Sequence, residues 1–261
     1  MTGRLEATLR SKRDSGSKLL VPYVTGGLGE DWVDVVRAVA AAGADAIEVG
    51  IPFSDPVMDG PVIQEASARA LDAGTTPVSV IGALRDAIGD IGVPVAVMTY
   101  YNLVARAGHT HMAKALADAG ISGAILPDLP VGEIGPWAEA AEDAGVETVL
   151  LAAPTTPDDR LAEIGARTRG FLYAVGLMGV TGERDSLAGS ASTMAARCKA
   201  ATDTPVLVGV GVSTPEQARE VSQVADGVVV GSALVRRLLA GAGPDGAADF
   251  VSELRRGLDA D

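Results

Sequence analysis

Glu48 lies in the run Ala46-Ile47-Glu48-Val49-Gly50, a carboxylate set between branched aliphatics. Burying such a group is costly unless it is paired or put to use. Two readings follow. One is a buried ion pair with a neighbouring strand. The other is an acid/base whose pKa burial has raised toward neutrality, where proton transfer is efficient. The segment that follows, Ile51 to Pro61, carries Asp55 and Asp59 among three prolines. It is either a solvated loop whose aspartates make turns, or a stiffened arm that presents a second acid/base.

Three late turns could hold an anion: Gly179-Val180-Thr181-Gly182, Gly209-Val210-Gly211 and Gly231-Ser232. Glycine lets backbone amides approach a phosphate closely, and a helix N-terminus presents such amides without any basic side chain. Plain turn geometry is the alternative for each. Of the nine aromatic residues, Tyr23, Phe53, Tyr100, Tyr101 and Tyr173 fall at or just past the ends of apolar runs. They form either ordinary packing or a pocket for a flat apolar ring.

Some chemistries lack their residues. The lysines are Lys12, Lys18, Lys114 and Lys199, none at the end of an apolar run, which argues against a Schiff-base aldolase. His109 and His111 stand two apart near a helix start, too few for a metal centre. No GxSxG elbow or Cys/His pair is evident. Bond cleavage here would have to run on carboxylates and hydrogen bonds.

The elements that must position these groups alternate strictly between short β-rich runs and Ala-rich helical stretches. Strands are expected at Leu19–Thr25, Ala46–Gly50, Val95–Thr99, Gly123–Leu126, Glu147–Leu151, Phe171–Val175, Pro205–Gly209 and Gly227–Val230. Helices are expected at Trp32–Ala42, Gly108–Ala119, Glu133–Ala144, Asp158–Ala166 and Pro215–Val221. A last one, Ala247–Leu258, follows the Gly- and Pro-containing stretch Gly241–Gly246. Gly43, Gly120 and Gly145 close helices just before strands, as left-handed caps do. Eight β-α units favour a (β/α)8 TIM barrel over an open sheet, with residues 1–261 as one domain. In that fold catalytic groups sit at strand C-terminal ends, where Glu48, the Asp59 loop, the aromatics and the glycine turns all fall.

Bulk properties agree. The 261 residues are 48% hydrophobic but only 3% aromatic, so the core is aliphatic, as parallel strands covered on both faces require. The formal charge of −13 argues against nucleic acid and anionic membranes as partners. The sole cysteine, Cys198, fits a reducing compartment, and neither a secretory signal nor a transmembrane span is expected.

The run Glu48-Val-Gly-Ile-Pro-Phe-Ser-Asp-Pro-Val-Met-Asp-Gly-Pro-Val-Ile-Gln64 resembles the signature of the tryptophan synthase α chain family. The resemblance continues through Val21-Pro-Tyr-Val-Thr25, Met98-Thr-Tyr-Tyr-Asn102, Pro127-Asp-Leu-Pro130, Ala153-Pro-Thr155, Gly179-Val-Thr-Gly182 and Gly231-Ser232, in order along the chain. It implies a (β/α)8 lyase that cleaves indole-3-glycerol phosphate to indole and glyceraldehyde 3-phosphate. This joins the cytoplasmic location expected from the lone Cys198. By the family's pattern, Glu48 protonates the indole ring at the carbon bearing the glycerol chain, and Asp59 assists at the ring nitrogen. Gly182, Gly211, Gly231 and Ser232 match the phosphate cradle. Tyr100 and Tyr173 match substrate-pocket positions, which Tyr23 joins from the aromatic cluster, and Thr181 matches a loop residue that helps to close the site. Pro52, Asp55, Pro56 and Asp128 resemble surfaces that meet a β chain. The resemblance further implies an α2β2 complex in which indole passes to a pyridoxal-phosphate-dependent β chain that makes L-tryptophan from L-serine. The α chain itself carries no cofactor or metal. Departures from the pattern include Leu28-Gly29 after the first strand, Met58 in place of a small residue, Val210 in place of an aromatic, and Gly176-Leu177-Met178 before the third-last turn.

Three other readings share many of these residues. One is a different phosphate-binding barrel, although the Glu48–Gln64 run does not resemble indole-glycerol-phosphate synthase or phosphoribosylanthranilate isomerase. Another is a stand-alone lyase that releases free indole. The last is a non-catalytic α-type subunit kept to activate a partner, against which an intact Glu48 and Asp59 argue.

Overall fold

A computed structural model describes residues 3–176, 184–209 and 211–260, and of residues 184–190 only the backbone is considered. Eight parallel strands close a barrel in chain order, with β1 returning to pair with β8. They are β1 Leu19–Thr25, β2 Ile47–Gly50, β3 Val95–Met98, β4 Gly123–Ile125, β5 Glu147–Ala152, β6 Leu172–Val175, β7 Val206–Gly209 and β8 Gly227–Val230. No strand end departs from the sequence expectation by more than one residue.

The helices are α1 Arg4–Asp14, α2 Trp32–Ala41, α3 Pro61–Asp72, α4 Pro77–Ile91, α5 Tyr101–Ala107 and α6 His109–Asp118, followed by α7 Gly135–Ala144, α8 Asp158–Arg167, α9 Arg184–Ala201, α10 Pro215–Ser222, α11 Ser232–Leu239 and α12 Gly243–Asp259. Gly43, Gly120 and Gly145 have positive φ, as expected of closing glycines. The Thr214 side chain caps α10 by accepting the Gln217 N–H. Two expectations need correction. The stretch Gly241–Gly246 does not merely precede the last helix: α12 starts at Gly243, because Pro244 suits a first helical turn. The seventh helix starts at Gly135 rather than Glu133, behind a 3-10 turn at Val131–Glu133, again with a proline, Pro136, in its first turn.

Alternation along the strands divides the core. Residues such as Val24, Val49, Val97 and Val208 face the helices, whereas Leu19, Val21, Ala46, Ala96, Ile125, Val149, Phe171, Leu207 and Val229 fill the barrel. Helix α1 plugs the N-terminal end with Leu5 and Leu9, both fully buried in that inner cluster. Its first-turn amides donate to the Glu147 carboxylate at the foot of β5, Leu5 N–H at 2.7 Å and Glu6 N–H at 3.0 Å. With the bottom sealed by hydrocarbon, the opposite end is the open one. No helix among the described residues is long and apolar enough to cross a membrane.

Candidate active site

The inward phase that carries Ala46 also carries Glu48, two residues nearer the mouth. Glu48 is in register with Tyr23 on β1 and Ala96 on β3. It is 1% exposed, and its Oε2 has no hydrogen-bond partner among the described residues. No cation pairs with it among the described residues, so the ion-pair reading has no support there. Burial, helped by the negative charge of Asp59, pushes its pKa up to about 8. A proton held on Glu48 at neutral pH is therefore available for donation.

Asp59 comes from the loop between β2 and α3 and is half-buried. Burial raises its pKa to about 6, and a hydrogen bond from Tyr100 works against that rise. The loop is held at several points. Met58 N–H donates to the Tyr100 hydroxyl at 2.9 Å, and Gln64 Nε2 donates to the Asp59 carbonyl at 2.8 Å. The Phe53 ring stacks on Tyr100 with centroids 5.0 Å apart. The two carboxyls thus differ in affinity for a proton, the pattern that separates an acid from a base within one site.

Both meet at a cavity of about 250 Å³ in the C-terminal mouth. Tyr23 and Tyr173 line it, as do the apolar Ile63, Met98, Leu151 and Val229. Glycine gives each tyrosine its place. A Cβ on Gly50 would collide with the Tyr23 ring, and one on Gly209 would lie 2.6 Å from the Tyr173 hydroxyl. Leu28 packs beside Tyr23, Ile63 and Val235 just outside. Tyr100 is different. It is buried but does not line the cavity, and its hydroxyl is engaged with the Asp59 loop.

Gly211, Gly231 and Ser232 line the far side of the same cavity. Gly211 has φ +67°, a conformation costly for other residues. Ser232 opens α11, whose backbone ladder begins with Val235 N–H to the Gly231 carbonyl at 3.0 Å. The amides before Val235 have no carbonyl one turn earlier, so they are available to an anion. No Lys or Arg stands among the described lining residues, so an anion there depends on backbone amides. Thr181, Gly182 and Val210 lie outside the described residues.

The residues expected at a partner surface divide. Asp55 is exposed and accepts the Ser54 hydroxyl at 2.6 Å, Pro56 is partly exposed, and Pro52 is buried within the chain itself. Asp128 accepts the Tyr101 N–H at 2.9 Å. Beside them, Val57 and Met58 are 80% and 54% exposed. A larger cleft of about 670 Å³ lies along the connection after β4. Met58, Pro127 and Leu151 line both spaces. Its size does not make it the reaction site, because Glu48 and Asp59 face the smaller cavity.

Sequence reasoning missed the inner aliphatics Met98, Leu151 and Val229, although a period of two from the barrel-filling residues points to them. It also missed Gln64 as an anchor of Asp59, for which no local pattern exists.

Fold and site together define a class: a (β/α)8 barrel enzyme with its cavity at the C-terminal mouth. The family model for the tryptophan synthase alpha chain matches residues 9–256. The tryptophan synthase alpha chain of Streptomyces coelicolor is 44% identical over 260 residues, covering 97% of this chain and 96% of its own. That of Thermobifida fusca is 43% identical over 263 residues, covering 97% of both. Among solved structures, tryptophan synthase from Mycobacterium tuberculosis superposes with a TM-score of 0.91 at 38% identity over 100% of both chains. The alpha subunit from Legionella pneumophila does so with a TM-score of 0.89 at 32% identity over 99% of both. The chain belongs to the tryptophan synthase α chain family.

Proposed function

We propose that this chain is the lyase subunit of tryptophan biosynthesis that cleaves indole-3-glycerol phosphate, with Glu48 as general acid and Asp59 as its partner at the ring nitrogen. The observation that carries the proposal is a buried Glu48 whose Oε2 has no partner among the described residues and whose pKa burial pushes up to about 8, sharing one cavity with Asp59, whose pKa rises only to about 6.

In the first step Glu48 gives its proton to the indole carbon that bears the glycerol chain, leaving a cationic indolenine. The Asp59 carboxylate stabilises the positive N–H of that ring. Glu48, now a carboxylate, takes the proton from the glycerol hydroxyl next to the ring. The carbon–carbon bond breaks, its electron pair returns to the ring, and indole and glyceraldehyde 3-phosphate result. Gly211, Gly231 and Ser232, with Gly182, hold the phosphate through backbone amides, while Tyr23 and Tyr173 flank the ring.

The chain needs no cofactor of its own in this scheme. Its product passes to a pyridoxal-phosphate-dependent β chain that makes L-tryptophan from L-serine, in an α2β2 complex. The exposed Val57 and Met58 beside an outer cleft that shares wall residues with the cavity support a docking partner there. A cytoplasmic location is part of the proposal, supported by the single cysteine, Cys198, which can form no intrachain disulfide. Assay of the purified chain with indole-3-glycerol phosphate, alone and with a tryptophan synthase β chain, tests the reading. Cleavage that rises with the β chain is expected. No cleavage in either assay overturns the proposal, and full activity without a partner overturns the coupling.

A further inference from the structure

Asp128 has a position that its partner-surface reading does not explain. Met98 on β3 and Ile125 on β4 are register partners, and Tyr101 and Asp128 each lie three residues further on. The two loops therefore leave the barrel side by side. The Asp128 carboxylate accepts the Tyr101 N–H at 2.9 Å. Tyr101 is the first residue of α5, so its amide has no carbonyl one turn earlier. The N-cap position belongs to Tyr100, which supplies no side-chain cap. A carboxylate from the neighbouring loop fills that role, and it also suits the positive end of the helix.

The consequence falls on Tyr100. Its backbone is set at the helix start, its ring stacks on Phe53, and its side chain is 3% exposed. Its hydroxyl accepts the N–H of Met58, the residue before Asp59. We propose that Asp128 is a positioning residue for the cleavage reaction: it fixes the start of α5, and through Tyr100 it holds the Met58–Asp59 segment over the barrel mouth. Burial and nearby carboxylates keep the Tyr100 phenol protonated, so the same oxygen can accept from Met58 and donate toward Asp59. That donation is what restrains the rise in the Asp59 pKa. The inference rests on the reading of Asp59 as the carboxylate that acts at the ring nitrogen.

The test uses the full-length chain alone, so that loss of partner docking does not enter. Cleavage of indole-3-glycerol phosphate is followed across pH for wild type, Asp128→Ala, Asp128→Asn and Tyr100→Phe. Asp128→Ala is expected to lower kcat by about 10- to 100-fold, the scale of a misplaced reacting group, with KM little changed. Its acid limb moves upward from about 6, because Asp59 loses a stabilising donor. Asp128→Asn keeps an oxygen that accepts the Tyr101 N–H and restores most of kcat and the acid limb. Tyr100→Phe keeps the ring stack but moves the acid limb as Asp128→Ala does, and carries the test alone if that variant does not fold. An unmoved acid limb in Asp128→Ala or Tyr100→Phe overturns the positioning role, as does an Asp128→Asn that fails as badly as the alanine. A wild-type chain that cleaves nothing overturns the proposed function instead.

Discussion

Asp59 stands close enough to Glu48 for its negative charge to strengthen Glu48's hold on a proton, adding to the effect of burial. The pair therefore ionises in sequence, Asp59 near 6 and Glu48 near 8. Between those values one carboxyl is charged and the other is not. The proposed mechanism needs that state: an acid at the ring carbon and an anion at the ring nitrogen.

A pH–rate profile should show it. Below about 6 Asp59 becomes protonated and the rate falls as pH drops. Above about 8 Glu48 loses its proton and the rate falls as pH climbs. Steady-state kcat measured from pH 5 to pH 10 is expected to be bell-shaped. A rate that keeps rising through the upper limb would remove Glu48 as the acid.

The same burial has a stability consequence. A carboxyl whose folded pKa lies above its ordinary 4.5 contributes stability below that value, and this is lost as pH rises toward about 8. Glu48→Gln removes the cost of ionising a buried group. The variant should melt higher than wild type at pH 8, by about 2–4 kcal/mol in stability, and show no such gain at pH 4. Equal melting at both pH values would mean that Glu48 is not desolvated in the folded chain.

Much of this was legible in the sequence because a parallel barrel repeats one instruction. Apolar runs such as Val95–Met98 and Val206–Gly209 mark strands, and Gly43, Gly120 and Gly145 mark where helices stop. Glu48 was conspicuous for breaking an apolar run. Helix α1 is hard to read from the sequence because Leu5 and Leu9, four apart, are the only large apolar residues in a charged segment, and their burial depends on a barrel to plug. The roles of Gln64, Tyr100 and Asp128 were not legible. Tyr100 and Asp128 act through contacts between loops that only the closed barrel brings together, and Gln64 through a side-chain reach back to the Asp59 carbonyl five residues earlier, which depends on how the loop enters α3.

Gly231 separates substrate binding from folding. Its φ is negative, and among the described residues an added Cβ would meet nothing nearer than Tyr23 at 3.5 Å, an ordinary contact. Gly231→Ala should fold with a melting temperature close to wild type. The methyl group stands at the wall proposed to hold the phosphate, so KM for indole-3-glycerol phosphate should rise by about 10-fold or more, the effect of about 1.4 kcal/mol. Unchanged KM in a folded variant would move the phosphate elsewhere.

Gly50 makes the opposite case. A Cβ there collides with the Tyr23 ring, which is buried and in register with Glu48. Gly50→Ala should cost about 1–3 kcal/mol through overpacking, measured by denaturant unfolding, and should lower kcat as Tyr23 is displaced. A stable and fully active variant would show that the Tyr23 ring can leave its place freely.

Whether Glu48 is the acid or a structural carboxyl decides the proposed mechanism. Glu48→Gln keeps the shape of the side chain and removes the proton. Cleavage of indole-3-glycerol phosphate, measured alongside binding of a non-cleavable phosphorylated indole analogue, tests the claim most directly. The expected result is a loss of kcat of about 100- to 10,000-fold with binding of the analogue largely intact. Retained cleavage, or binding lost together with cleavage, would contradict it.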